Sequence, residues 1–231
     1  MGSRMNSSKV HSCIDKFTAN DFKFITQTLT GKTQSTSAIV SLIMDEDSRH
    51  EILDNPKLIA AISNKNNQVE ISSQLYFYLI VRNSFIDAGI FDFNRCEYVA
   101  EILASFVDDK VYRQLLNHSK NFFIYSIEIS EKINHLDAYS SFQLMLQTGQ
   151  LYLLLTGCFE EFLIHQTERN GAPNIDYYSS LGRNYFHTAG KHPLSEEFMM
   201  EPILKDLSTH FGETRFALKE MREKYLNLDD F

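Results

Sequence analysis

The sequence predicts an all-α protein, a bundle of about eight to ten helices. Three observations carry that reading. Only four prolines and nine glycines occur in 231 residues, so helix breakers are rare. Apolar residues recur at three- and four-residue spacing, while few stretches alternate with a period of two. Cap and stop residues stand where the helical runs change. The clearest break is Asn64-Lys65-Asn66-Asn67-Gln68. It divides the chain into an N-terminal helical arm over 1–68 and a main bundle over 69–231, unless one continuous domain runs across it.

The elements are justified in order. Met1-Gly2-Ser3-Arg4 reads as a tag scar ahead of Met5, and polar Asn6 to Ser12 follows without the apolar core of a signal peptide. A short first helix is expected over 20–29, ending at Gly31. Lys32 to Ser37 reads as a polar linker, and a second helix covers 36–45. Asn55-Pro56 places a capping side chain before a proline at the first helical position, which opens a helix to Ser63. A long helix over 69–88 stops at Gly89. Asp92 caps the next, to Val107. Helices follow at 109–117, 120–134, 137–158 and 159–169. Asn170-Gly171-Ala172-Pro173-Asn174 loops into a helix over 174–190. His192-Pro193 breaks the chain, and 195–227 is helical again with a new start at Pro202.

Two of these helices are expected at the centre. On a wheel of about 100° per residue, Ile71, Leu75, Tyr78, Leu79, Phe85 and Ile86 form one stripe of helix 69–88. Phe77, Ile80 and Val81 lie on the other side. Arg82 sits in the stripe. A guanidinium there keeps its charge and needs a carboxylate or carbonyl partner. Asp87 is about 140° away on the wheel, so Glu213 of the last helix is the favoured partner; the competing reading makes Arg82 an anion or ligand contact. Helix 137–158 is also apolar nearly all round. Gly149 and Gly157 would let a neighbouring backbone approach. Gln143, Gln147 and Gln150 form a narrow strip that is either partly solvated or lines a pocket. Helices apolar on two sides need cover on both, and a symmetric homodimer is one way to supply it.

The remaining chemistry is sparse. Thirty acidic against 22 basic side chains, net −8, argue against a sequence-independent nucleic-acid binder. No run of about 18 apolar residues suggests a membrane span. Cys13, Cys96 and Cys158 are scattered, which excludes a disulfide framework and a thiolate zinc site. With no signal peptide, the cytoplasm is the expected location. No Gly-rich phosphate loop, dinucleotide fingerprint or nucleophile elbow is present, so no cofactor is expected.

The helix over 174–190 carries Asp176, Ser180, Arg183 and His187 on one polar face. Arg183 is a further ligand candidate, and Ser180, His187 and Asp176 assemble a triad only on paper. The metal alternative rests on Glu161 and His165, four apart, and on Asp206, His210 and Glu213 along one flank of the last helical stretch. Helical bundles hold di-metal sites with such residues, but the usual Glu-x-x-His pair is absent. Phe216 projects among charged neighbours, a lone exposed aromatic.

Several segments carry a resemblance. They are Leu75-Tyr76-Phe77-Tyr78-Leu79-Ile80-Val81-Arg82, Asp87-Ala88-Gly89-Ile90, Gly171-Ala172-Pro173-Asn174-Ile175-Asp176-Tyr177-Tyr178 with Leu181-Gly182-Arg183, and Phe211-Gly212-Glu213-Thr214-Arg215-Phe216-Ala217-Leu218. Their order resembles a family of uncharacterised all-helical bacterial proteins, over residues 70–226. The resemblance implies a bacterial cytoplasmic origin and brings no activity with it. Two functional readings follow. The first is a non-enzymatic helical interaction or regulatory protein. The alternative is a helical ligand-binding protein or a di-metal carboxylate enzyme.

Overall fold

The computed structural model of the chain describes residues 13–31, 36–64, 70–108 and 122–226. The fold is all-helical, with no strand among the described residues. These contain thirteen α-helices, more than the eight to ten expected. The excess includes a short helix over 46–53 that periodicity does not mark and the division of the last stretch. The expected helix at 109–117, the stretches 32–35 and 65–69, and residues 1–12 lie outside the described residues. The described residues group into two compact units, 13–108 with 217–226, and 122–216.

In the first unit a short 3-10 turn, Cys13–Lys16, precedes α1 (Ala19–Thr30). A reciprocal capping box starts α1. The Thr18 hydroxyl accepts from the Asp21 N–H, and the Asp21 carboxylate accepts from the Thr18 N–H at 2.6 Å. Gly31, at φ +68°, ends it in the left-handed conformation expected of a C-terminal glycine. Next come α2 (Thr36–Met44), α3 (Glu46–Leu53) and α4 (Pro56–Ser63). Helix α3 was not expected from periodicity. Asp45 caps it by accepting the Ser48 N–H. Asn55 caps α4 with Pro56 in its first turn, as the Asn-Pro pair predicts.

Helix α5 (Ser73–Asp87) is the centre of this unit. Nine of its residues are buried, Arg82 among them. It packs against α6 (Phe93–Asp108), α4 and the 3-10 turn. Ser72 caps α5 and also donates from its N–H and hydroxyl to the fully buried Asp21 carboxylate, each at 2.7 Å. Four donated bonds therefore converge on one carboxylate, two from Thr18 and two from Ser72. Burying that charge is tolerable only because it is so fully hydrogen-bonded.

The second unit holds α7 (Phe122–Ile133), α8 (Ala138–Cys158), α9 (Glu160–Asn170), α10 (Ile175–Gly190), α11 (Pro193–Glu197), α12 (Glu201–Thr209) and the start of α13 (Phe211–Tyr225). The helical stretch expected over 195–227 with a new start at Pro202 is three helices, and Pro202 lies in the first turn of α12. Helix α8 is the hub, packed against α7, α9, α10 and α11. Its apolar circumference is therefore covered by the chain itself. At Gly149 the nearest neighbour is a side chain rather than the backbone expected: the Phe186 ring lies 3.1 Å from where a Cβ would stand. Gly182 of α10 receives the Phe211 ring in the same way, at 2.6 Å. Tyr152 lies between Tyr178 and Tyr185, with ring centroids 5.9 and 6.1 Å away. Such offset aromatic stacks add to the burial of the rings themselves.

Candidate functional site

Arg82 is buried and paired across helices, but its partner is Asp54, not Glu213. The pairing is bidentate: Nε donates to Asp54 Oδ1 at 2.8 Å and Nη2 to Oδ2 at 2.7 Å. Asp54 is the C-cap of α3, the helix that periodicity missed, so sequence reasoning had no reason to bring it near α5. The guanidinium also lies over Phe93, with Cζ 4.0 Å from the ring centroid. His50 stacks on the same ring at 3.3 Å between centroids. Burial alone would lower the Arg82 pKa, but the hydrogen bonds and charge of Asp54 hold it above its ordinary value. The Arg82 side chain is 5% exposed and that of Asp54 26%. The arrangement ties α3 to α5, and both bonding edges facing Asp54 are occupied by it.

The other ligand candidates are on the surface or at its edge. Gln143 and Gln150 are half-buried on α8, and Gln147 is exposed. Arg183 is exposed on α10. Of the metal candidates, only Asp206 and His210 come together, Oδ1 to Nδ1 at 2.8 Å across the end of α12. Glu161 and His165 are exposed on α9, and Glu213 is exposed on α13. Among the described residues no three His, Cys, Asp or Glu side chains gather where they could share a metal ion. The paper triad is not assembled either: the Ser180 hydroxyl donates to the Asp176 main-chain carbonyl at 2.8 Å. The thiols of Cys13 and Cys96 are raised well above the ordinary cysteine value, chiefly by burial, which suits inert core cysteines.

A different feature stands out on the second unit. Tyr139, Phe198 and Met199 are 56%, 39% and 44% exposed. Tyr139 opens α8, and the other two follow α11. The Tyr139 and Phe198 rings form one patch, meeting edge to face at 6.3 Å, and Met199 follows Phe198 in the chain. Beneath them the buried Phe142 ring stacks on Phe198 at 6.0 Å and lies tilted against His192 at 5.3 Å. The His192 Nδ1 accepts the Leu194 N–H at 3.2 Å and so caps α11. The floor of the patch is thus held by α8 and by a capped turn.

The end of α11 adds strain. The Met200 N–H donates to the Ser195 carbonyl at 2.7 Å and the Met199 N–H to the Glu196 carbonyl at 3.0 Å. That is the Schellman pattern, whose left-handed position normally takes glycine. Here it is occupied by Met199 at φ +54°, the one non-glycine with positive φ among the described residues. A side chain in that conformation costs roughly 1–2 kcal/mol. The cost falls on a residue that is 44% exposed, outside the core where packing would most readily compensate it. Sequence reasoning singled out Phe216 and missed this patch. The signal was present in Phe198-Met199-Met200, three large apolar residues between Glu197 and Glu201 with no glycine to stop the helix.

Among the described residues no helix is long and apolar enough to cross a membrane. Comparison of the chain with protein-family models, curated proteins and solved structures found no match.

Proposed function

We propose that this chain is a non-enzymatic helical interaction protein and that the Tyr139–Phe198–Met199 patch is its docking surface. One observation carries the reading: two exposed aromatic rings meet on a supported floor, and the exposed Met199 next to Phe198 in the chain is held in a strained backbone conformation. Contiguous exposed apolar surface of that kind marks interaction sites more often than scattered exposed residues do. Aromatic and methionine side chains are the types enriched at the centres of such interfaces. The proposal extends to a bacterial cytoplasmic setting, supported by the family resemblance and by three buried cysteines that form no disulfide.

A homodimer was motivated by helices apolar on two sides. Those sides are largely covered within each unit by neighbouring helices, and we place any dimer contact at the patch instead. The test is photo-crosslinking from position 139 in cells that make the protein. The expected result is one stoichiometric crosslinked protein, whether another chain or a second copy, that disappears when Phe198→Ser is added. No crosslink, or the same crosslink with Phe198→Ser, refutes the reading.

A further inference from the structure

The charge around the patch narrows what can cover it. Within two residues of Tyr139, Phe198 and Met199 in the chain stand Asp137, Glu196, Glu197 and Glu201, with no Lys, Arg or His. All four carboxylates are exposed. Apolar side chains flanked in the chain by one sign of charge favour a partner with the opposite sign. A second copy joined by a two-fold axis would set this rim against its own image, in a chain already at net −8. An anionic membrane surface would be repelled for the same reason.

We infer that the patch docks a basic amphipathic helix of another protein, one whose apolar anchors are flanked by Lys or Arg. The inference rests on the reading of this patch as a docking surface. The anchors would cover Tyr139, Phe198 and Met199, and the flanking cations would meet the four carboxylates. Phe198 is backed by Phe142, so its ring is already placed before a partner arrives. Met199 supplies an adaptable, polarizable contact beside two rigid rings, and the Schellman turn fixes the direction in which it projects.

The test uses the full chain and fluorescence anisotropy with two labelled peptides of about 18 residues, helical and amphipathic by design. One carries leucines on a single face and lysines elsewhere; the other replaces every lysine by glutamate. The lysine peptide is expected to bind at least about tenfold more tightly than the glutamate peptide, and less tightly as salt rises. Tyr139→Ser and Phe198→Ser are each expected to weaken it about tenfold or more. Met199→Gly keeps the proposal testable if those variants fold poorly. It should raise the melting temperature by relieving the left-handed conformation, and weaken the peptide all the same.

The overturning results differ in what they overturn. If both peptides bind equally and both lose affinity with Phe198→Ser, the basic partner is wrong while the docking surface stands. If the lysine peptide binds every variant equally, the attraction is generic and both readings fail. No binding of either peptide at about 100 μM also overturns the basic partner. So does a dimer seen by light scattering, or binding to phosphatidylcholine vesicles, that Phe198→Ser abolishes; the occupant is then a second copy or a lipid surface.

Discussion

Removing Asp54 should cost far more than removing the charge of Arg82, although the two form one pair. The asymmetry follows from exposure. Asp54→Ala leaves a guanidinium whose side chain is 5% exposed, with the Phe93 face against its charge. Stranding one member of a buried pair costs about 3–5 kcal/mol. The retained contact with Phe93 and the partial hydration admitted by the new space put this case near about 3 kcal/mol. Arg82→Met keeps a long apolar stem in place and strands only Asp54. That carboxylate is 26% exposed and can turn to water, so the cost is about 1–2 kcal/mol. The double variant should cost little more than Arg82→Met alone, giving a coupling of about 3 kcal/mol. Urea unfolding followed by far-UV circular dichroism measures all three, with unchanged m-values as the check that the unfolding transition is comparable. Asp54→Asn, which keeps the shape but not the charge, should behave like Asp54→Ala. If Asp54→Ala costs less than about 1 kcal/mol, or no more than Arg82→Met, the argument from burial is wrong.

Other expectations follow from single sites. Gly182→Ala places a Cβ 2.6 Å from the Phe211 ring and 3.0 Å from the Tyr152 Cβ; it should destabilise by about 1–3 kcal/mol despite alanine's better helix propensity, read by thermal unfolding. All three cysteines are buried, and Cys13 and Cys96 have raised pKa values; a thiol reagent at mildly alkaline pH should label the native chain slowly and the urea-unfolded chain fully. The Asp137 carboxyl lies below its ordinary value of 3.8 because the Ser140 hydroxyl and N–H donate to it. Its folded pKa is depressed, so its contribution to the start of α8 is complete above about 3.8 and is lost as pH falls through the lower folded value. Carboxyl NMR titration should find that midpoint below 3.8, and Asp137→Asn should flatten the acid limb of the stability profile.

Where periodicity was long and caps were explicit, the chain was readable. Asn55-Pro56 marked α4 correctly, Gly31 marked the end of α1, and the two helices apolar on most sides became α5 and α8, the centres of their units. Helix α3 was missed because Glu46 to Leu53 is short, charged and only weakly amphipathic. Its start is marked by Asp45 and Ser48, a cap too brief to weigh without the packing. That miss carried the Arg82 error with it: burial of a mid-stripe arginine can be read from a wheel, but its partner comes from a helix end set by tertiary contacts. The patch was harder still. Exposure of Phe198 and Met199 depends on α11 ending after five residues, and the left-handed Met199 violates the glycine preference that sequence reading relies on.

The first 64 residues place two acids on α5: Asp21 at its cap, through Ser72, and Asp54 midway along it, through Arg82. Each contact closes a long loop, 51 residues from Asp21 to Ser72 and 28 from Asp54 to Arg82. Loop closure of that length has an entropic cost that grows only slowly with further residues, so both bonds persist once the intervening helices are docked. Their kinetic consequence is shared opening. We expect the amides of α5 to exchange with solvent water chiefly when α1 and α3 release their acids. Deuterium uptake along these three helices should therefore follow one common protection level, behaving as a single foldon rather than as an arm that frays ahead of the helix it braces.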